Sequence, residues 1–321
     1  MRFYFYFIIL LLLIVNSSCR QKLTAKEGEK HLRAFDNELI SYTKQLKSSE
    51  SVAAFEKLFS IQNLPIPFRY HKQVKGEPFP FSKLKGIYRY DSLTNECIKH
   101  SDSDSIIIIF PFKSSHDSVA KFSIANYAEE ISIWGPMFPT KVDVKLEVAG
   151  LTIASIKSDG ILKYQVPTKS LTVFRFDRYS FHLDLHSKLS RKKSKMFVKV
   201  ELKKAEETVL TCNSAMEVSQ TNISGTKFNT VNLECYAFPL VIRAKANYGA
   251  IAPNTHDFIS AFNRNVSIEV ETENKAYIGS IRLKEKPNAN RLNFVVAYND
   301  GTYTNLEDFL FFARWILNVK C

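Results

Sequence analysis

The chain has 321 residues, which is enough for one large domain or two small ones with a substantial core. Apolar residues make up 45 % and charged residues 24 %, with only 11 Pro and 10 Gly, and this composition excludes disordered and fibrous classes of protein. The net charge of +12 favours acidic partners such as anionic lipids or glycans of a cell envelope. The alternative is a solvated basic face that serves no partner.

Residues 1–18 have the pattern of a secretory signal peptide. Arg2 gives a cationic start, residues 3–15 are an unbroken apolar run too short for a stable membrane span, and small residues follow. Small residues directly before Cys19 indicate a bacterial lipoprotein signal, which is cut before Cys19 so that this residue is acylated, with palmitate among the acyl groups. An ordinarily cleaved signal and an uncleaved anchor remain the alternatives. Export argues against nucleic acid as a partner.

Two helices are predicted directly after the anchor, within residues 19–62. Residues 24–47 carry apolar side chains at alternating steps of three and four, and a second, shorter helix is predicted over 51–61. We expect this pair to pack on the protein's own sheet, because two or three heptads are too few for a coiled coil with a partner. Residues 63–85, rich in Pro and Phe, are predicted to be an extended linker.

From Gly86 onward the hydrophobic period drops to two, which predicts an antiparallel β domain over residues 86–321. Turn positions suggest a register in each hairpin: Val148 opposite Leu151 and Leu146 opposite Ile153, Leu185 opposite Val200, and Ile268 opposite Ile281. A short helix is predicted near 255–264. Thr304 to Glu307 resembles a capping box that opens a final helix over 305–319.

These elements predict an α+β fold with ten to twelve antiparallel strands. We expect one large, curved sheet, with a half-open barrel as one form, against which the N-terminal helical hairpin and the C-terminal helix pack.

The best candidate for a metal site is His182, Asp184 and His186, which share one face of a predicted strand. The predicted register places Lys203 opposite His182 and Lys199 opposite His186, and two ammonium groups oppose binding of a dication. Alternating polar residues on the wet face of a sheet explain the pattern better, so we expect no metal and no cofactor. Nucleophile and phosphate-binding motifs are missing from the sequence, and five further histidines are scattered: His31, His71, His100, His116 and His256.

Cys212 and Cys235 are candidates for a disulfide bond. A loop over residues 222–225 would place them directly opposite each other on neighbouring strands, where Cα atoms of a non-hydrogen-bonded pair lie about 4.5 Å apart. Two buried free thiols are the alternative. The redox state of Cys97 and Cys321 is left open by the sequence.

Several segments resemble uncharacterised exported lipoproteins of Bacteroidota. The resemblance is carried by GIYRY at 86–90, DSIIIIFP at 104–111, FSIANY at 122–127, VDVKLEVAG at 142–150 and YNDGT at 298–302, and it covers about residues 65–321. Ala149-Gly150 stands where that family usually has Asp-Gly. The resemblance implies an envelope lipoprotein and supplies no catalytic residues. Because Arg20-Gln21-Lys22 replaces the acidic run of surface-exported members, we favour the periplasmic face of the outer membrane over the cell surface.

These observations lead to two expectations for function. The first is a non-enzymatic binding protein, held to the bilayer through acylated Cys19, with a hydrophobic or lipid-like ligand in a concavity rich in Phe and Tyr. The second is a structural or interaction subunit of an envelope assembly. An enzyme is a third possibility, for which no motif in the sequence speaks.

Overall fold

The computed structural model describes residues 20–74, 76–112, 119–132, 137–190, 193–221, 225–251, 257–286 and 289–309. Its helices are α1 Ala25–Lys47, α2 Glu50–Ser60, α3 Pro67–Gln73, α4 Phe81–Leu84, α5 Phe258–Asn265 and α6 Leu306–Phe309. Its first eight strands are β1 Gly86–Asp91, β2 Glu96–Ser101, β3 Ile106–Pro111, β4 Val119–Ile131, β5 Met137–Val148, β6 Leu151–Lys163, β7 Val166–Phe176 and β8 Tyr179–Lys188. The others are β9 Ser194–Lys204, β10 Glu207–Thr221, β11 Gly225–Ala237, β12 Leu240–Asn247, β13 Val266–Thr272, β14 Tyr277–Lys286, β15 Ala289–Tyr298 and β16 Tyr303–Asn305.

The strands belong to one sheet, so the predicted α+β fold with a large antiparallel sheet is confirmed. Strands β16 to β3 follow one another in sequence order, and β1 and β2 complete the other end in the order β3-β1-β2. The expected ten to twelve strands are too few, since the described residues form sixteen. One pair also departs from the antiparallel expectation, because β1 runs parallel to β3 with Tyr88 opposite Ile108.

The chain divides into two compact units, each described here by itself. Unit 1 contains residues 1–40 and 232–321, and unit 2 contains residues 41–231. The division falls inside α1 and inside β11, and not at either end of the predicted linker.

The core of unit 2 lies between helix α2 and one face of its strands. Ala54 and Leu58, four residues apart on α2, are fully buried together with inward side chains of β3, β4 and β5 such as Ile108, Phe122 and Leu146. Burying a side chain like that of Leu58 contributes roughly 1.5–3 kcal/mol. The alternation of apolar and polar residues that predicted the strands therefore arises because helix α2 covers one face of the sheet.

Helix α2 is fixed at its first turn by two side-chain contacts. Ser49 is the N-cap, and its hydroxyl accepts a hydrogen bond from Val52 N at 3.3 Å. Buried Ser51 donates its hydroxyl to the carboxylate of Asp177, which lies in the turn between β7 and β8. Because a carboxylate is favourable at a helix N-terminus, this contact both orients α2 and joins it to the sheet.

In unit 1, helix α1 packs on the sheet through Gly28 and Leu32. The helix begins with a true capping box, since Thr24 N donates to Glu27 Oε2 at 2.9 Å and Glu27 N donates to the Thr24 hydroxyl at 3.3 Å. Leu32 is buried in a cluster with Leu240, Val270, Ile278, Val296 and Tyr298. The predicted packing of the first helix on the protein's own sheet is confirmed.

The segment before α1 is bound to the start of β14 in unit 1. Tyr277 N donates to Gln21 O at 2.7 Å, and Leu23 N donates to Tyr277 O at 2.9 Å. The guanidinium of Arg20 lies over the Tyr277 ring at 5.1 Å. Residues 20–23 are therefore part of the fold and do not form a tether.

Arg20 also enters an ion-pair network around a buried carboxylate. Glu271 on β13, with a side chain 1 % exposed, pairs with both Arg20 and Arg243. Arg20 Nη1 lies 3.1 Å from Glu269, and Arg243 Nε lies 2.7 Å from Glu234. The hydrogen bond from Arg243 lowers the pKa of the Glu234 carboxyl.

Two of the four predicted pairings are confirmed. Val148 faces Leu151 across a two-residue turn, where Ala149 and Gly150 have φ of 49° and 80°. Ile268 faces Ile281 as expected. Leu146, however, faces Ala154 and not Ile153, because a register shift falls between Leu146 and Glu147.

Three other expectations need correction or fall partly outside the described residues. The predicted linker at 63–85 contains α3 and α4, so it is not simply extended. Thr304 lies in β16 and its hydroxyl donates to Glu29 at 2.8 Å, while the described part of the final helix runs from Leu306 to Phe309. The rest of the predicted helix 305–319 lies outside the described residues. No helix among the described residues has both the length and the apolar character needed to cross a membrane.

Candidate functional site

The metal candidates His182, Asp184 and His186 lie on β8, but in a register shifted by two residues from the predicted one. Leu185 faces Val198 and not Val200, so Glu201 lies opposite His182 and Lys199 opposite Asp184. His186 stacks on Phe197 with ring centroids 5.1 Å apart, and His182 Nε2 contacts the Ser180 hydroxyl at 3.1 Å.

Two charged side chains on the neighbouring strand β9 also pair with each other. Lys199 Nζ lies 3.0 Å from Glu201, and this hydrogen bond lowers the pKa of the Glu201 carboxyl. Among the described residues, no three His, Cys, Asp or Glu side chains are grouped so that they could hold a metal ion.

The cysteines differ in their environments. Cys212 and Cys235 are both disulfide-bonded, and the pairing of one with the other stays a prediction. Cys97 is a buried free thiol on β2, and burial raises the pKa of this thiol to about 11. A buried, protonated thiol is a poor nucleophile, which argues against a catalytic cysteine at this position. Cys19 and Cys321 lie outside the described residues, so acylation of Cys19 stays a prediction.

The strongest candidate site is a pocket of about 490 Å³ in unit 2, at the end of α2 and beside α3. Its volume is in the range of small-molecule sites, roughly 300–1,000 Å³. The walls are mainly apolar and aromatic: Leu64, Pro65, Tyr70, Phe79, Leu84 and Tyr88. Three polar residues complete the lining: Gln62, Asn63 and Arg69.

The sequence after α2 explains how the pocket forms. Helix α2 ends at Ser60, Pro65 and Pro67 disfavour helical backbone in the residues just before them, and Leu64 and Ile66 are buried in the core. Pro67 stands at the first helical position, where its fixed φ and missing N–H suit a helix start, so α3 begins directly after the turn. The new helix direction places Arg69 and Tyr70 beside the end of α2.

The aromatic walls are held by specific contacts. The Tyr70 and Phe79 rings meet edge to face with centroids 5.5 Å apart. The Tyr88 hydroxyl donates to Leu84 O at 2.7 Å, and burial raises the pKa of Tyr88. These rings are therefore neutral and fixed in place at physiological pH.

A buried carboxylate supports two sides of the pocket at once. Glu129 on β4, with a side chain 2 % exposed, accepts a hydrogen bond from Phe79 N at 2.6 Å and lies 3.0 Å from His71 Nε2. The Tyr127 hydroxyl donates to the same carboxylate. The pKa of Tyr127 is raised mainly by burial and, to a smaller extent, by the hydrogen bond to Glu129 and the negative charge of that carboxylate. Glu129 thus links α3 and Phe79 to the sheet and is a positioning residue for the pocket.

None of these pocket residues was identified from the sequence. Arg69 and Phe79 belong to the segment predicted to be a linker, His71 was one of several scattered histidines, and Glu129 lies fifty or more residues further along the chain. The available signal was Pro67 after Ile66, which is the pattern of a helix start.

Comparisons with protein-family models, with curated proteins and with solved structures found no match for this chain. Its function must therefore be inferred from its own residues.

Proposed function

We propose that this chain is a lipid-anchored protein of a bacterial envelope that binds a hydrophobic or lipid-like ligand without transforming it. The observation that carries the proposal is the pocket in unit 2, whose walls are mostly aromatic and aliphatic and whose size suits a small molecule. Tyr70 and Tyr88 contribute aromatic binding surface, and Arg69 contributes one positive charge. Within the described residues, the pocket lining contains no Ser, Thr, Cys or Lys side chain that could serve as a nucleophile, so the pocket favours binding over catalysis.

The anchor in this proposal is acylated Cys19. It is supported by the signal-like residues 1–18, by the net charge of +12, which favours anionic envelope lipids or glycans, and by the resemblance to exported Bacteroidota lipoproteins. The basic Arg20-Gln21-Lys22 supports the periplasmic face of the outer membrane as the location.

The proposed ligand site differs in place from the one expected from the sequence. We expected the ligand to lie on an apolar face of the sheet. In unit 2, Leu58 of α2 packs with the inward residues of β3, β4 and β5, so side chains already fill that face. The pocket beside α3 is therefore the better candidate.

The binding proposal can be tested with a neutral apolar fluorophore, N-phenyl-1-naphthylamine. The protein would begin at residue 19 with Cys19→Ser, so that no acyl chain competes with the probe. We expect saturable binding with one probe per chain. Leu84→Trp should fill the pocket and weaken binding at least about tenfold, while Leu171→Trp on an exposed part of β7 should not. Absence of saturable binding, or equal binding by both tryptophan variants, would refute the proposal.

A second candidate function is an interaction subunit of an envelope assembly. It is favoured by Phe59 and Phe68, which are 41 % and 67 % exposed and whose ring centroids lie 6.0 Å apart on the outside of α2 and α3. A photo-crosslinking residue at position 68 in living cells would test it. A discrete crosslinked partner supports this function, and only lipid or water adducts argue against it.

A further inference from the structure

We propose that the ligand's polar end is an anion, recognised by Arg69, and that the ligand is an amphiphile with one apolar tail. This inference rests on the proposed binding function and adds the chemical class of the ligand. It is carried by the state of the Arg69 guanidinium and by the composition of the surrounding walls.

The guanidinium of Arg69 has few hydrogen-bond partners within the chain. Its Nη2 donates to the backbone carbonyl of Phe59, and its Nε is buried without a hydrogen-bond partner among the described residues. A guanidinium is always charged and carries five N–H donors, and Arg69 is partly exposed, so the donors that the Phe59 carbonyl does not use are open to an acceptor from solution. Buried polar groups are normally paired, so the unpaired Nε shows that this guanidinium is incompletely satisfied within the described chain.

The carboxylates around the pocket are already engaged with other donors. Glu129 is bound by Phe79 N, by the Tyr127 hydroxyl and by His71. Glu96 accepts from Asn63 Nδ2 at 2.8 Å, and Glu77 accepts from the Tyr70 hydroxyl at 3.4 Å. Within the described part of the chain, no carboxylate lies within 4.0 Å of the Arg69 guanidinium. An anion from outside the chain is the acceptor that fits, because carboxylate and phosphate match the planar fork of arginine.

The walls define the other end of the ligand. Leu64, Phe79, Leu84 and Tyr88 offer an apolar surface directly beside the cation. A volume of about 490 Å³ accommodates a single short tail or an aryl group, and it is too small for a lipid with several acyl chains. The expected ligand is thus a short or medium-chain acid, or a single-tailed phosphate.

The two halves of this site are held in advance of binding. Arg69 lies on α3, whose His71 contacts Glu129, and the same carboxylate binds the backbone of Phe79, which is part of the aromatic wall. One side chain therefore fixes the distance between the cation and an aromatic wall. Such preorganisation reduces the cost of ordering the site when the ligand binds.

The test is displacement of N-phenyl-1-naphthylamine from the same Cys19→Ser protein by decanoate, decyl phosphate and decan-1-ol, each below its aggregation concentration. We expect decanoate to bind roughly ten- to a hundredfold more tightly than decanol, as for a charged hydrogen bond. Arg69→Gln should lower decanoate affinity to about that of decanol and so remove this preference. Arg69→Lys should keep part of it, and Arg89→Gln, an exposed arginine on β1, should keep all of it.

The outcomes separate the two proposals. If decanol competes as well as decanoate and Arg69→Gln changes neither, the anion inference is overturned while the apolar binding function stands. If no competitor and no probe binds, the binding function fails. Tighter displacement by decyl phosphate than by decanoate assigns the anion to a phosphate source, and the reverse assigns it to a free acid. Should Arg69→Gln fail to fold, the ratio of decanoate to decanol affinity in the unsubstituted pocket still decides the question.

Discussion

Arg20 is predicted to stabilise unit 1 although it lies at the end of the described chain. Arg20→Ala removes a half-exposed pair with Glu269, worth about 0–1 kcal/mol, and a contact with the Tyr277 ring worth about 0.5–1 kcal/mol. It also removes one of two cations from buried Glu271. Leaving a buried charge with no partner costs about 3–5 kcal/mol, and because Arg243 remains, we expect only part of that loss. The whole effect should be about 2 kcal/mol.

Hydrogen exchange followed by mass spectrometry is the appropriate assay, because it reports local stability in unit 1 without assuming that both units unfold together. A loss of about 2 kcal/mol should accelerate exchange of the β13 and β14 amides about thirtyfold. Peptides from β3 to β5 in unit 2 serve as an internal reference. All variants would carry Cys19→Ser, so that acylation does not differ between them.

Two further variants test the reasoning. Lys30→Ala removes an exposed cation from α1, and it should change exchange by less than about 0.5 kcal/mol. Arg20→Ala combined with Glu271→Gln removes the buried charge as well and should recover part of the loss. Unchanged exchange in β13 and β14 after Arg20→Ala would refute the argument.

Two other predictions concern packing and ionisation. Gly28→Ala should destabilise unit 1 by about 1 kcal/mol, because a Cβ there would lie 2.9 Å from Ile278 Cγ2 and 3.1 Å from Tyr298 Cε1, which outweighs the gain in helix propensity. Burial raises the Cys97 pKa from 9.0 to about 11, so the unfolded thiol ionises first and stability should fall between about pH 9 and pH 11, relative to Cys97→Ala. Urea titrations measure both effects, with exposed Asn37→Ala on α1 as a neutral control.

The outcomes that would contradict these two predictions are distinct. A Gly28→Ala protein more stable than the parent would mean that the neighbouring side chains move aside at little cost. Parallel stability curves for Cys97→Ala and its parent above pH 9 would mean that the thiol is not desolvated in the folded state.

Periodicity gave most of the strands and the first two helices, because burial on one face is written directly into the order of residues. Hydrophobic periodicity predicted the registers between neighbouring strands less well. Leu185 pairs with Val198 and not Val200, and a shift of two residues keeps every side chain on its face, so alternation cannot detect it. The shift after Leu146 is a local irregularity of the ladder, and the hydrophobic pattern does not mark it.

The pocket could not be derived from the sequence because its parts come together only through tertiary contacts. Arg69 and Phe79 are near each other in the chain, but their arrangement depends on Glu129 in β4. Neither periodicity nor a motif connects these residues. The prolines before α3 were interpreted as evidence against regular structure, whereas Pro67 begins a helix.

The backbone hydrogen bonds that Gln21 and Leu23 make with Tyr277 have a consequence for how closely the folded chain is held to the membrane. With Cys19 acylated as proposed, a single peptide unit, about 3.8 Å between Cα atoms, separates the acylated residue from Arg20. A connection this short would hold the start of β14, to which Gln21 and Leu23 are bonded, close to the lipid headgroups. The same bonds would then limit how far unit 1 can move away from the membrane surface.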